Sequence, residues 1–230
     1  MMNTTKLAFN LTVCRIFTIS NTLKAYCTLT IGLALFSANA FASMPPLEDV
    51  QKTWAECQYH TPDSDDKERC FHRAIAKTDR YLSRSPDNSE LTVWLAINKA
   101  SLAGAQGGLG ALSLAKEAKS LLEKVIETSP QTLNGSAYTS LGSLYYKVPG
   151  WPIGFGDDDK AEEMLKTALE INPKGIDPNY FYGDYLAEEG REKEAKIYLA
   201  RAMQAPIRPD RPLADEGRKL DIEATLRKMK

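Results

Sequence analysis

The strongest constraint on this chain is a pattern that returns four times. An alanine, one or two apolar residues and then a proline 11 or 12 positions after the alanine recur at Ala74 to Pro86, Ala118 to Pro130, Ala161 to Pro173 and Ala195 to Pro206. The alanines stand 44, 43 and 34 residues apart. Leu122, Leu165 and Leu199 each follow their alanine by four positions, and Ala168 and Ala202 come three later. Positions i, i+4 and i+7 share one face of a helix, so each copy predicts an amphipathic helix that ends near its proline. Self-similarity at such a period excludes most single-core folds and points to stacked units, each burying its apolar face on the next.

A partner helix precedes each of these. In the third copy it holds Tyr138, Leu141, Gly142 and Tyr145, and in the fourth Asn179, Tyr182, Gly183 and Leu186. Glycine inside a helix costs about 1 kcal/mol relative to alanine, so its presence asks for a packing reason. A missing side chain lets the second helix approach the first closely. Between the small residue of the first helix and the alanine of the second lie 12 positions in the fourth copy (Gly183 to Ala195), against 19 or 20 in the others. Three hairpins are therefore expected to carry seven or eight extra residues between their helices.

Gly183, Gly190, Ala195, Leu199 and Ala202, with Tyr138, Leu141, Gly142, Tyr145, Ala161, Leu165, Ala168 and Pro173, resemble the tetratricopeptide repeat family. The resemblance implies an all-α, right-handed solenoid of about four hairpins over residues 43–206, with long inter-helix connections. Residues 207–230 are read as a C-terminal capping helix, presenting Leu213, Leu220 and Ala224 to the last hairpin. Pro206, Pro209 and Pro212 keep the connection to it stiff and non-helical.

The first 42 residues contain Lys6, Arg15 and Lys24 but no acidic side chain. Lys24 is followed by the apolar run 25–37 and by two small-x-small sites ending at Ala40 and Ala42. This reads as a secretory signal cleaved near Ala40 or Ala42, which places the remainder in the periplasm. This run of 13 residues falls short of the ~20 that span a bilayer, so no stable membrane insertion is expected after cleavage. Residues 43–230 hold 26 basic and 30 acidic side chains, which argues against nucleic acid and anionic lipid as partners.

Cleavage removes Cys14 and Cys27 and leaves Cys57 and Cys70. One pair in an oxidising compartment favours a disulfide. A zinc site recruiting His60 and His72 is the competing reading, but Cys57-x2-His60 and Cys70-x-His72 lack the usual ligand spacing. No metal and no cofactor are expected. The glycine-rich stretch 104–110 follows a helix rather than a strand and has no Lys-Ser/Thr pair, so it reads as a flexible turn and not a phosphate loop. The aspartates at 63, 65 and 66 and at 157–159 lack calcium-loop alternation and read as helix caps.

Two features are candidate binding surfaces. The connection 148–157 is unusually apolar for a loop: Trp151, Ile153 and Phe155 either fold back as a plug, the favoured reading, or form a lip around a ligand. The second is a stripe along the first helices, running through Thr139, Ser143 and Tyr146, then Tyr180 and Asp184, then Lys99, with Lys52, Glu56 and Tyr59 in the first copy. In the family these repeats resemble, this face lines a concave groove that receives partners; a plain solvated face is the alternative. No nucleophile elbow or HExxH occurs. The expected function is a non-enzymatic binding or scaffold module of the bacterial envelope with a protein or peptide partner. A carrier of a small apolar ligand is the alternative, and an enzyme the third. The secretory leader, the long insertions and the glycine-aspartate entry into a helix also resemble, more loosely, the T component of tripartite ATP-independent periplasmic transporters. That likeness implies an association with a periplasmic solute receptor.

Overall fold

A computed structural model describes residues 45–229, all within the unit Ala42–Lys230. The leader, its two cleavage sites, Cys14 and Cys27 lie outside the described residues. Among the described residues the elements are nine helices: α1 (Pro46–Tyr59), α2 (Ser64–Leu82), α3 (Ser89–Gln106), α4 (Gly108–Thr128), α5 (Ser136–Lys147), α6 (Asp158–Ile171), α7 (Ile176–Glu188), α8 (Glu192–Met203) and α9 (Pro212–Lys228). None of them is long and apolar enough to cross a membrane.

The repeating residues make the hairpins. Ala118, Ala161 and Ala195, and the leucines four positions on, are fully enclosed. They sit against the small residues of the preceding helix. A Cβ placed on Gly142 would lie 2.7 Å from Leu165 Cγ, and one on Gly183 would lie 2.8 Å from Leu199 Cγ. Both contacts are far inside van der Waals separation, so these glycines are needed for the helices to close on each other. Asp63 and Asp157 accept hydrogen bonds from the backbone N–H of Asp66 and Lys160 and cap α2 and α6.

The extra residues go to different places in the three longer hairpins. In the second they lengthen the helices, giving α3 18 residues and α4 21, against 13 and 12 in α7 and α8. The stretch 104–110 is correspondingly not a long turn. Only Gly107 separates α3 from α4, at φ 64°, where glycine costs nothing and other residues are strained. The third hairpin alone keeps a long loop, 148–157. There Gly156 donates to the Pro149 carbonyl and Asp157 to the Tyr145 carbonyl, each at 3.0 Å. Phe155 folds back edge-on against Tyr145, whereas Trp151 is 90% and Ile153 68% exposed, so only Phe155 behaves as a plug.

The first helices of the hairpins pack side by side in order, α1 on α3, α3 on α5 and α5 on α7. The last helix does more than cap. It packs on α7 and α8 as the next repeat would, and also on α1. Ala214 joins the apolar cluster of Val50, Trp54 and Phe71, while Ile222 joins that of Leu186 and Leu199. Five helices thereby form a closed ring, with α6 and α8 outside it and the first turns of α2 and α4 reaching its inner space. Side-by-side cylinders in a ring of five cannot meet at the centre. They leave a channel.

Candidate functional site

The channel is a cavity of about 1470 Å³ lined from all five inner helices. Its aromatic wall begins at α1. Trp54 lies edge-on to both Tyr59 and Trp94, with ring centroids 5.7 and 5.6 Å away, and its indole N–H donates to the Ser101 hydroxyl at 2.9 Å. On α7, Tyr180 and Phe181 are edge-to-face at 5.0 Å, and the Arg218 guanidinium lies over both rings, 4.5 and 4.7 Å from their centroids.

The opposite quality comes from the C-terminal segment. Arg218 Nε donates to Asp177 Oδ1 at 3.0 Å and its Nη1 to Asp221 Oδ2 at 3.0 Å. Arg208 donates through Nη1 to Asp177 Oδ2 at 2.7 Å and through Nε to Asp215 Oδ1 at 2.7 Å. Burial alone would raise the Asp177 carboxyl, but the cations of Arg218, Arg208 and Arg211 overcome it and hold the group well below the usual carboxylate range. Arg211 differs from its neighbours. Its guanidinium lies 4.9 Å from the Trp94 ring centroid, its Nε is buried, and that Nε has no hydrogen-bond partner among the described residues. Burial, together with the repulsion of Arg208 and Arg218, holds it below its ordinary pKa despite the pull of Asp177 and Asp215. Lys67, Lys147 and Lys174 also line the channel, so its basic side chains outnumber its carboxylates, Asp177, Asp210 and Asp221.

The residues expected from sequence are divided by this geometry. Thr139, Ser143 and Tyr180 line the channel. Tyr146 and Asp184 do not: they face one another between α5, α7 and α9. The Tyr146 hydroxyl donates to Asp184 Oδ2 at 3.0 Å, Thr225 donates to Oδ1 at 3.0 Å, and Lys147 Nζ lies 2.9 Å from Oδ2. Burial first, then the Asp184 charge, pushes the Tyr146 phenol well above its ordinary value. Lys99 is turned to the neighbouring helix, 2.6 Å from Glu117 on α4, while Trp94, Ile97 and Ser101 supply the inner face of α3. Gln51, Trp54 and Gln58 do so on α1 together with Tyr59, in place of Lys52 and Glu56. Trp151 is not in the channel wall and Phe155 is packed on Tyr145; Ile153 reaches the rim. The register of the stripe is therefore displaced in α1 and α3 and over the last turn of α5. The repeat pattern does not reach the arginines of α9 and its approach, although Arg208-Pro-Asp-Arg211-Pro is a visible basic cluster.

Cys57 and Cys70 are joined, with sulfurs 2.01 Å apart and Cα atoms 5.5 Å apart. Their sulfurs are bonded to each other, as the disulfide reading expects.

No protein-family model matches the chain. No curated protein matches it either. Among solved structures, it is similar to TTC0263, described as a thermophilic TPR protein of Thermus thermophilus, at 21% identity and a TM-score of 0.52. That match covers 80% of this chain and 88% of the other. In fold, the chain is a tetratricopeptide-like solenoid of helical hairpins.

Proposed function

We propose that this chain is a non-enzymatic binding module, exported to the periplasm, that holds a segment of a protein or peptide partner within its central channel. The observation that carries this reading is the channel itself. Its 1470 Å³ exceeds the ~300–1,000 Å³ usual for small-molecule pockets, and its wall mixes aromatic faces with fixed charges as peptide-binding surfaces do. Arg208, Arg211 and Arg218 beside an aromatic and aliphatic wall suit an occupant that carries both apolar and charged groups, as a peptide does. Export is supported by the acid-free leader and by the Cys57–Cys70 bridge, a linkage suited to an oxidising compartment. The looser likeness to the T component of tripartite transporters makes a periplasmic solute receptor the first partner to examine.

The test is in-cell crosslinking from a photoreactive residue at Ser143, inside the channel, beside one at Ile197, which is 52% exposed on α8. A protein adduct formed from position 143 and not from position 197 supports the reading. Adducts of equal yield from both positions, or none from 143, would sink it.

A further inference from the structure

Of the three arginines in the channel wall, Arg211 alone has no carboxylate partner among the described residues. Arg208 and Arg218 are each held between two aspartates. Among the ion pairs of the described residues none involves Arg211, and its Nε is buried without an acceptor. Removing a guanidinium from water without a counter-ion is costly, and the two adjacent arginines add repulsion. The guanidinium nevertheless lies over the Trp94 ring, at the end of the Tyr59–Trp54–Trp94 ladder, and within the channel. A planar guanidinium presented this way offers two parallel N–H donors to a planar anion.

We infer that Arg211 anchors a carboxylate of the molecule that occupies the channel, whose body lies along the Trp54–Trp94 wall. The inference rests on reading the channel as a binding site and names the chemistry its occupant must carry. A carboxylate fits better than a phosphate dianion, because the neighbouring cations are already paired and one guanidinium remains to be neutralised. The charge of the site supports it. Six basic side chains line the channel against three carboxylates although residues 43–230 are net acidic, so an anion meets more cations there than over the chain as a whole. The carboxylate comes either from an acidic side chain of a peptide or from a free organic acid, and experiment separates the two.

The exported chain, purified without its leader, is titrated with acetyl-Ala-Glu-Ala-Glu-Ala amide, with its glutamine counterpart, with phenylacetate and with inorganic phosphate. Tryptophan fluorescence and calorimetry report binding. At least one carboxylate probe should bind, weaken with salt, and bind Arg211→Gln about tenfold or more less tightly, since a charge-assisted hydrogen bond is lost. Arg211→Lys, which keeps the charge but not the fork, should fall between; it also serves if Arg211→Gln does not fold. Preference for the glutamate peptide assigns a peptide source, and binding of phenylacetate alone assigns a free acid. The inference is overturned if the glutamate and glutamine peptides bind equally and phenylacetate not at all, if phosphate outcompetes both carboxylates, or if the Arg211 variants bind as the parent does. A partner captured from position 143 through a neutral segment would overturn it too, while leaving the channel reading intact. Arg211-dependent carboxylate binding with no captured partner would do the reverse.

Discussion

The Tyr59 hydroxyl donates a hydrogen bond to Asp221 at 2.9 Å, and the Tyr59 ring lies directly over Gly217, joining the first helix to the last across 162 residues of sequence. A Cβ on Gly217 would meet three atoms of that ring at 2.4 Å, and a ring carbon next to the main chain cannot swing aside cheaply. Gly217→Ala should therefore loosen the ring of helices. The expected cost is ~1–3 kcal/mol, the usual range for overpacking. Faster amide exchange in both α1 and α9 should accompany the fall in melting temperature. Unchanged exchange in α1 would mean the ring is not closed in solution.

The spacing of Tyr146 predicts an open face, where truncation changes little. Its place against Tyr185 (ring centroids 5.6 Å) and Asp184 reverses that expectation. Tyr146→Ala should cost several kcal/mol, approaching the ~3–5 of a large aromatic truncation. Tyr146→Phe removes only the donor to Asp184 and should cost about 1–3 kcal/mol. Denaturant unfolding checks both, with Gly142→Leu as the comparator for a hairpin forced apart. A Tyr146→Ala variant as stable as the parent would restore the open-face register.

Reducing Cys57–Cys70 should weaken the first hairpin selectively. The bridge spans a sequence separation of 13, and chain entropy for such a loop predicts roughly 3 kcal/mol, with measured values often smaller. Exchange mass spectrometry with and without reductant should show the loss centred on α1 and α2. Two titratable thiols in the denatured, unreduced protein would exclude the bridge.

Glu162 ties the third hairpin to the fourth. It accepts from Arg191 at 2.8 Å and from Tyr182 at 2.9 Å. The Arg191 contact leads in holding its carboxyl down to about 2, from 4.5. Because the folded pKa is the lower one, the stabilisation is complete above pH ~4.5 and is lost as pH falls towards about 2. Melting temperature should fall across that window, and more shallowly in Glu162→Gln. Parallel slopes in the two proteins would show that this carboxylate does not contribute.

The hairpins are legible in sequence and the channel is not, for a reason visible in single residues. Ala161, Leu165 and Gly142 stand where local sterics admit little else, so their spacing alone predicts which faces meet. The inner face carries no such constraint. One residue along a helix turns the side chain by about 100°, so Leu144 lines the channel while Tyr145 packs against Phe155, though both fit an amphipathic pattern. Aromatic residues suit either place: Tyr146 is part of a buried polar contact and Tyr180 part of the wall. Closure lies further still from the sequence. Tyr59 enters the repeat only as a position on the open stripe, Gly217 and Asp221 lie beyond it, and their meeting depends on the small tilts between successive helices adding up to bring α9 back to α1. Local chemistry determined the unit; the sum of its rotations, which no segment encodes alone, decided that four units and a final helix enclose a basic, aromatic channel.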